Sequence, residues 1–405
     1  MSKVSREDVE KALTKKAEFG EDVSLDNYEE GDYEVEQIDD ITATPDDLKE
    51  KMINVGVESD NENKEGTIIF IDNAMSHCSA KQQEGLVMTN VRQALELYPW
   101  VKDFYWSAMN PTKDKYTAKT YLEDADGYFV YVKPGYHIKM PVQTCMMLAK
   151  DKSIQNLHNI IIVDDNASVD MVTGCTTVHH ANESLHVGVS EMFIGNNSSL
   201  SFTMVHSWGK QTAVRPRTAI MMGKNSNYVN NYVILDPVGT VQSCPVAYLN
   251  GEGAKCTFNT MCIAHENSHI DSGGIAVLNA PNTGAEIVSR NISYGGKMYA
   301  RGKLVGNAPG AKAHLECKSI ILKDGGVTHA IPELEASCSD VEMTHEAAVG
   351  KIAQEQIDYL MTRGLSEDEA VSMIVRGFLV GGIRGLPTNL QSEIDTAIEK
   401  ANEGD

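Results

Sequence analysis

Metal chemistry is the first possibility that the residues of this chain raise. His265, Glu266 and His269 have the HExxH spacing, which on a helix brings two imidazoles to one zinc ion and a carboxylate beside its water. The local sequence opposes a helix, because Asn267 and Ser268 are poor interior residues and Asp-Ser-Gly-Gly follows closely. We therefore expect a polar turn between two strands here, and no zinc pair.

Thiols are the second group of candidates. The sequence has no G-x-x-x-x-G-K-[ST] phosphate loop and no G-x-S-x-G elbow. Cys317 lies in "AHLECKSI", where strand alternation puts it on one face with Ala313 and Leu315, and we expect this face to point inward. The opposite face then holds three polar residues: His314, Glu316 and Lys318.

Two further places combine a thiol or an imidazole with polar neighbours. Cys175 follows Gly174, and His345 precedes Glu346 in "CSDVEMTHEAAVG". A thiolate with an imidazole or a carboxylate is a suitable ligand set for iron. The alternatives are that each cysteine is a small buried hydrophobe and that the histidine is structural.

A repeated pattern of strands and turns must position these residues. From about residue 120 to 345, short apolar runs alternate with turn clusters. A fixed period of this kind is typical of a β-solenoid, in which stacked coils bury a common core, although a β-sandwich with chance regularity is an alternative. We therefore expect a mainly β fold with a solenoid core at residues 120–345. The turns recur at intervals of 28, 28, 30 and 28 residues and begin at Gly195, Gly223, Gly251, Pro281 and Pro309.

The N-terminal region (1–119) is expected to be acidic and of mixed structure. A helix is predicted to begin near Ser5. Residues 21–65 contain 17 acidic side chains and three lysines, which is typical of a solvated, loosely ordered segment, and a short helix is expected after Pro45. Residues 66–72 are predicted to form a strand, and residues 81–99 a helix.

The C-terminal region (346–405) is expected to be helical. Ser366 and Glu369 have the spacing of a capping box at the start of a helix. A last helix is predicted at residues 388–401. The helix after the capping box carries an apolar stripe of four residues: Val371, Ile374, Val375 and Phe378.

Bulk composition excludes several classes of function. The chain has 405 residues and a formal net charge of −22, which argues against nucleic acid or an anionic membrane as a partner. Its eight cysteines include no CxxC pair, so neither a disulfide scaffold nor a zinc ribbon is expected. With no signal-peptide pattern and no apolar run of about 20 residues, a cytoplasmic location is expected.

Two long segments resemble the SufB/SufD family of iron–sulfur cluster assembly proteins. Residues 344–379, "THEAAVGKI…YLMTRGLSEDEAVSMIVRGFL", are similar to the C-terminal signature of that family. Residues 289–322, "SRNISYGGKMYARGKLVGNAPGAKAHLECKSIIL", are similar to its last coils. The resemblance implies a right-handed parallel β-helix flanked by helical regions, and it covers features of both SufB and SufD in one compact chain.

The resemblance also implies roles for individual residues. Cys317 stands 28 residues before His345, as in the SufB branch, and is implied to be the site of nascent cluster assembly at a subunit interface. Glu346 matches a SufB-type carboxylate, and His345 matches a histidine that SufD contributes to the same interface. Cys175 is implied to accept sulfur. The region implied to dock an ATPase of the SufC type includes Ser366, Glu369, Ile374 and Phe378.

The expected function is therefore that of a scaffold and not of an enzyme. The chain would build a transient iron–sulfur cluster with a SufC-type ATPase and a sulfur donor, and would transfer it to apo-proteins. It would pair with a second copy or with another SufB/SufD-like subunit. The alternatives are a SufD-like structural partner without its own cluster and a β-helix carbohydrate-active enzyme. The sequence leaves the cluster type and flavin binding open.

Overall fold

A computed structural model of the chain describes residues 4–29, 37–60, 62–81, 84–178 and 181–380. The strands within them are β1 (Gly66–Ile71), β2 (Ala74–Ala80), β3 (Leu86–Asn90), β4 (Tyr128–Val132), β5 (Val142–Leu148), β6 (Ile154–Val163), β7 (Ser168–Thr177), β8 (Leu185–Ile194), β9 (Ser199–Ser207), β10 (Ala213–Val214), β11 (Arg217–Met222), β12 (Asn227–Ile234), β13 (Thr240–Ser243), β14 (Val246–Leu249), β15 (Lys255–His265), β16 (His269–Leu278), β17 (Gly284–Tyr294), β18 (Lys297–Gly306), β19 (Ala311–Lys323), β20 (Val327–Ala336) and β21 (Val341–Gly350). The α-helices are α1 (Arg6–Ala12), α2 (Asp46–Ile53), α3 (Val91–Leu97), α4 (Lys115–Leu122), α5 (Gln354–Met361) and α6 (Glu367–Val380). Three short 3₁₀ helices lie at Leu25–Asn27, Ile41–Ala43 and Pro99–Asp103.

Two largely parallel sheets build the body of the molecule. Sheet 1 has the strand order β2-β1-β5-β7-β9-β12-β15-β17-β19-β21. Sheet 2 has the order β10-β13-β16-β14-β11-β8-β6-β4-β3, and β18 and β20 continue it from β16. From β5 onward the chain crosses from one sheet to the other in every coil, and paired strands of successive coils are parallel. The protein is therefore a β-solenoid of about eight turns, which confirms the predicted fold class.

The core lies between the inner faces of the two sheets. Every second side chain of a strand in sheet 1 points inward, and the register stacks equivalent residues of successive coils. One such column contains Tyr228, Cys256, Ala285 and Ala313, all of them buried. A single coil would leave its inner face open at both ends, so neighbouring coils must supply the core.

The recurring turns place a residue of left-handed conformation at one corner of successive coils. Asn197 and Asn225 have φ values of 54° and 52°, and Gly253 and Gly310 have φ values of 75° and 73°. Glycine and asparagine adopt this region at lower cost than other residues. The side chains also bond along the stack, because Asn225 Nδ2 donates to Asn197 Oδ1 at 3.2 Å. The period read from the sequence therefore marks one corner of the solenoid.

Several elements predicted outside the repeats are present. The Ser5 side chain caps the first turn of α1, and β1 accounts for the strand expected at residues 66–72. Ser366 and Glu369 form the capping box, because Glu369 N donates to Ser366 Oγ and Ser366 N donates to Glu369 Oε2. The helix expected at residues 388–401 lies outside the described residues.

The prediction of a single helix at residues 81–99 is wrong. Strand β3 comes first and pairs antiparallel with β4, and the chain continues as α3 only afterwards. Asn90 ends the strand and caps the helix, because its side chain accepts a hydrogen bond from Gln93 N. Pairing with a neighbouring strand overrides the helical pattern of the first half of this segment.

Within the acidic segment, the described residues 37–60 are more ordered than the composition predicts, and α2 is the short helix expected after Pro45. Helix α2 and the residues after it bury Leu48, Met52, Val55 and Val57 against the outer face of sheet 1. These apolar residues are interspersed among the acidic ones. Because apolar burial outweighs the solvation of the exposed charges between them, α2 and the residues after it pack on the solenoid.

Strand pairing extends beyond the limits expected for the core, 120–345. Strand β1 is a parallel neighbour of β5, and β21 continues to Gly350. Helices α5 and α6 follow, and α6 packs on the same outer face as α2. Among the described residues, no helix combines the length and the apolar character that crossing a membrane requires.

Candidate metal centre

Cys317 occupies the inner face of the next-to-last strand of sheet 1. Strand β19 alternates, so that Ala313, Leu315 and Cys317 are buried in the core, as predicted. The register neighbours of the cysteine are Ser289 on β17 and Ala347 on β21. Burial raises the pKa of the Cys317 thiol to about 11. The thiol is therefore neutral at pH 7, and a metal ion that bound it would displace its proton.

The last strand of sheet 1 divides the other two predicted ligands between two faces. His345 pairs with Leu315, and Glu346 pairs with Glu316. Residues in register in a parallel sheet point to the same side. His345 therefore lies on the face of Cys317, whereas Glu346 lies on the outer face, and both are exposed. Within one chain, the three predicted residues do not converge on a single point.

The outer face of β19 and β21 holds a cluster of possible metal ligands close to Cys317 along these strands. His314, Glu316 and Glu346 each offer a ligand atom within 4.8 Å of the others. Lys318 lies among them, with its Nζ 3.0 Å from Glu316 Oε2 and 3.1 Å from Glu346 Oε1. Arg290 also pairs with Glu316. An imidazole and two carboxylates suit Fe²⁺ and other divalent ions of the first transition row.

Basic neighbours keep the Glu316 carboxylate of this cluster ionised. Burial alone would raise the pKa of Glu316, but hydrogen bonds from Lys318 and Arg290 bring this pKa below its usual value. The hydrogen bonds to Glu316 and Glu346 raise the pKa of Lys318. His314 uses Nδ1 for a 2.7 Å bond to Thr344 Oγ1. A cation at this place would compete with the lysine for both carboxylates.

Cys175 lies on the inner face of β7, five strand positions from β19 in sheet 1. At about 4.8 Å per strand, this separation is roughly 24 Å. Its register neighbours are Met146 and His206, and burial raises the pKa of its thiol well above the usual value. On the outer face, a Cβ atom at Gly174 would lie 2.3 Å from Val55 Cγ2, so α2 and its C-terminal extension close this side tightly. Cys175 and Cys317 of one chain therefore cannot bind the same ion.

Buried polar groups line the inner face of sheet 1 beside Cys317 and between the two cysteines. The side chains of Ser289, Asn291 and Ser319 and the Nε2 atom of His206 have no hydrogen-bond partner among the described residues. Buried polar groups without a protein partner are normally satisfied by water. The interior between the two thiols is therefore partly polar and not a purely apolar core.

The HExxH segment is a turn between two strands, as predicted. Strand β15 ends at His265 and β16 begins at His269, with Asn267 between them at a φ of 68°. His265 Nε2 bonds the Leu235 carbonyl at 2.7 Å, and His269 Nδ1 lies 2.9 Å from Glu21 Oε1. The two imidazoles thus contact different parts of the molecule, and the helix that the zinc motif requires does not form.

The apolar stripe of α6 turns toward the solenoid. Val375 and Leu379 are buried against sheet 1, and the Phe378 ring packs beside them with its centroid 5.9 Å from the Arg290 guanidinium carbon. Ile374 is half-buried. Part of the predicted docking stripe therefore holds the helix in place. The apolar side chains that α5 and α6 expose are Tyr359, Met361 and Met373.

His314 and Glu316 were not among the ligands predicted from the sequence. They stand 30 residues before Thr344 and Glu346, and each pair is in register between β19 and β21. In a solenoid, a residue one period upstream of a candidate ligand lies beside it in the neighbouring coil. The repeat length could therefore have identified His314 and Glu316 as neighbours of Thr344 and Glu346 from the sequence.

Sequence comparison finds similar proteins over nearly the whole chain. The profile described as "SUF system FeS cluster assembly, SufBD core domain" matches residues 146–378. An iron–sulfur cluster assembly SufBD family protein of Methanothermobacter thermautotrophicus is 40% identical over 401 residues, which are 98% of each chain. A SufBD family protein of Archaeoglobus fulgidus is 44% identical over 353 residues, 87% of this chain and 95% of the relative. The iron–sulfur cluster assembly protein SufB of Bacillus subtilis is 27% identical over 401 residues, 96% of this chain and 86% of the relative.

Proposed function

Because the chain belongs to the SufBD family of iron–sulfur cluster assembly proteins, we propose that it is the scaffold on which a nascent cluster forms. Iron and sulfur are then the cargo of the protein, and the chain itself is not an enzyme. A SufC-type ATPase, a sulfur donor and the apo-proteins that receive the cluster are the partners of this scaffold.

The position of Cys317 is the observation that carries the proposal. Thiolate is the usual protein ligand of iron–sulfur clusters. Cys317 is one strand from the end of sheet 1, and only β21 separates its column from the open end of the solenoid. His345 lies on the same face of β21 and would supply a second, more labile ligand. A labile set suits a scaffold, because the cluster must leave it.

The polar interior supports sulfur transfer from Cys175 to Cys317. The thiols are roughly 24 Å apart, so sulfur accepted at one cannot react directly at the other. Unpartnered polar groups such as Asn291 on β17 and the Nε2 atom of His206 on β9 lie on the inner face between them. Such groups would solvate a polar sulfur species that a purely apolar core would exclude.

The outer-face cluster of His314, Glu316 and Glu346 supports a place for incoming ferrous iron. Its nitrogen and oxygen donors are harder than thiolate and bind Fe²⁺ less tightly than a cluster site does. Lys318 neutralises the carboxylates until a cation replaces it. Iron would be held here beside the strand that carries Cys317.

A two-fold pair of chains would complete the site. The end of the solenoid exposes β20 and β21, and the described residues provide no strand beyond either one. An isologous contact places the same patch of each subunit against the other, so each Cys317 would lie near the end strand of the second copy. A related SufB/SufD-like subunit could take the place of that copy.

Anaerobic reconstitution with ferrous iron and sulfide tests the proposal. We expect the Cys317→Ser protein to lose most of the visible cluster absorbance, because a hydroxyl is a hard, neutral ligand and a poor replacement for thiolate. Cys145→Ser, which changes a buried thiol on the outer face of sheet 1, and Cys78→Ser, which changes an exposed one, are the controls. Full absorbance of the Cys317→Ser protein, or equal losses in all three variants, would contradict the assignment.

A further inference from the structure

A pocket of about 510 Å³ lies between the N-terminal segment, residues 15–19, and sheet 2. It is remote in sequence from the proposed assembly site and contains none of its residues. Ligand pockets in proteins commonly have volumes of roughly 300–1,000 Å³. The pocket is therefore large enough for a small organic or inorganic ligand.

The wall that the N-terminal segment provides is held in place. The Phe19 ring lies over the guanidinium of Arg301, with its centroid 4.3 Å from the guanidinium carbon. Arg301 in turn forms hydrogen bonds of 2.6 and 2.9 Å with the Asp271 carboxylate. Glu21 Oε1 lies 2.9 Å from His269 Nδ1 on β16. The segment is thus attached at two places beside the pocket.

The floor of the pocket contains two cations, the paired Arg217 and the half-buried Lys113. Arg217 donates to Asp114 Oδ2 and to Gln242 Oε1, both at 2.6 Å, so its charge is already compensated. The Lys113 ammonium makes no hydrogen bond or ion pair with any described residue. Burial, together with the nearby Arg217, lowers the pKa of Lys113. An anion in the pocket would supply the partner that this ammonium lacks.

The pocket is positively charged in a strongly acidic protein. Four of its lining residues are cations and two are carboxylates, Glu18 and Asp114, which leaves 4 − 2 = +2, whereas the whole chain has a net charge of −22. Lys15 and Lys16 are exposed at the rim. Their contacts with the protein are weak, because Lys16 Nζ lies 3.6 Å from the Asp22 carboxylate and Lys15 Nζ makes one hydrogen bond of 3.2 Å to a carbonyl. Both side chains are therefore free to turn toward a ligand.

From this geometry we infer that the pocket binds a small multivalent oxyanion, either a phosphate compound or a polycarboxylate. Lysine ammonium groups are common partners of such oxygens. Cys244 also lines the pocket, and burial raises the pKa of its thiol to about 12. The thiol is therefore neutral at pH 7 and does not repel an anion. The inference is independent of the proposed scaffold function.

Calorimetric titration of the full-length protein with pyrophosphate and, separately, with citrate at fixed ionic strength tests the inference. We expect at least one of the two anions to bind with one-to-one stoichiometry, and the anion that binds identifies the chemical class. Lys113→Met should weaken that binding about tenfold or more, because a charge-assisted hydrogen bond to a half-buried ammonium is lost. Lys16→Met, in which the changed side chain is 75% exposed and cannot disturb folding, should weaken it to a smaller extent.

The matched control is Lys224→Met, which removes the same charge from a surface turn where Lys224 pairs with Glu252 at 3.0 Å. This variant should bind the anion like the unchanged protein. The absence of binding by both anions to the unchanged protein would overturn the inference. So would equal weakening by Lys224→Met and Lys113→Met, since that result would show an unspecific effect of charge.

Discussion

At the scale of the residue, the two faces of β19 and β21 separate two kinds of ligand. Soft sulfur lies inward at Cys317, whereas the imidazole and carboxylates of His314, Glu316 and Glu346 lie outward. Adjacent positions on a strand point to opposite sides, so a single residue step changes the environment from core to solvent. Neighbouring residues of one motif, such as His345 and Glu346, are therefore expected to have different roles.

The outer-face cluster gives a prediction for Glu346. Glu346→Gln removes a negative ligand and should weaken the binding of ferrous iron in the absence of sulfide about tenfold or more, the usual scale for losing a charged partner. Anaerobic equilibrium dialysis measures this. Glu342→Gln is the control, because Glu342 is exposed on the same strand and pairs with Lys312 at 2.9 Å, as Glu346 pairs with Lys318, but lies outside the cluster. Equal effects of both substitutions would show that the cluster does not select iron.

At the scale of the element, the flanking segments depend on close packing against the solenoid. Helix α2 and the residues after it cover the outer face of sheet 1 near Cys175, and α6 covers the same face farther along. Both use apolar residues that lie between charged ones. Their contacts, and not their helix propensity, hold them in place, because short isolated helices are marginal in water.

Gly174→Ala should destabilise the protein by about 1–3 kcal/mol, the usual cost of overpacking a core. The added Cβ would lie 2.3 Å from Val55 Cγ2 and 2.7 Å from Val57 Cγ2. Urea unfolding measures the change in the free energy of unfolding. Gly350→Ala is the control, because a Cβ there meets no atom within 4 Å. Similar losses in both variants would contradict the packing argument.

Helix α6 gives a prediction about the ATPase partner. Met373→Glu places a charge on the exposed face of the helix, where the methionine is 52% exposed. If this face docks a SufC-type ATPase, the variant should no longer co-purify with it, because an unpaired charge in an apolar interface is costly. Leu97→Glu changes a residue that is 66% exposed elsewhere and should have no effect. Unchanged co-purification of Met373→Glu would refute this docking face.

At the scale of the whole molecule, the end strands β20 and β21, beyond which the described residues add no strand, predict self-association. Edge strands with unpaired backbone groups invite pairing with another chain. We expect a dimer in sedimentation experiments at micromolar concentration. Val349→Arg should shift it to monomer, because Val349 is 47% exposed on the inner face of β21. A monomeric unchanged protein would contradict the proposed two-fold pair.

Alkaline pH should destabilise the fold through its buried thiols. Burial raises the pKa of the Cys145 thiol to about 12, from the value of 9.0 for a thiol in water. The neutral thiol therefore contributes its full stabilisation below pH 9, and this is lost as the pH rises toward the folded-state value. Between pH 8 and pH 10.5, one such thiol accounts for about 2 kcal/mol. The loss of unfolding free energy over this range should be smaller in Cys145→Ala than in the unchanged protein, and equal losses would contradict this argument.

Much of this architecture follows from the sequence. Turn residues that need a left-handed conformation recur once in every coil, and strand alternation put Cys317 inward and His314, Glu316 and Lys318 outward. These features are local or periodic, so a single coil contains enough information to place them. The fold class therefore follows from the spacing of the residues, whereas the family follows from the resemblance of residues 289–322 and 344–379 to SufB/SufD proteins.

Contacts between distant segments required the three-dimensional structure. Which of His345 and Glu346 faces the core depends on the register of β21 with β19, and the formation of a strand in place of the expected helix at residues 86–90 depends on pairing with β4. The packing of the acidic segment on sheet 1 and the pocket around Lys113 join residues about 100 or more positions apart. Such contacts depend on how the whole chain folds back on itself, and no local pattern encodes them.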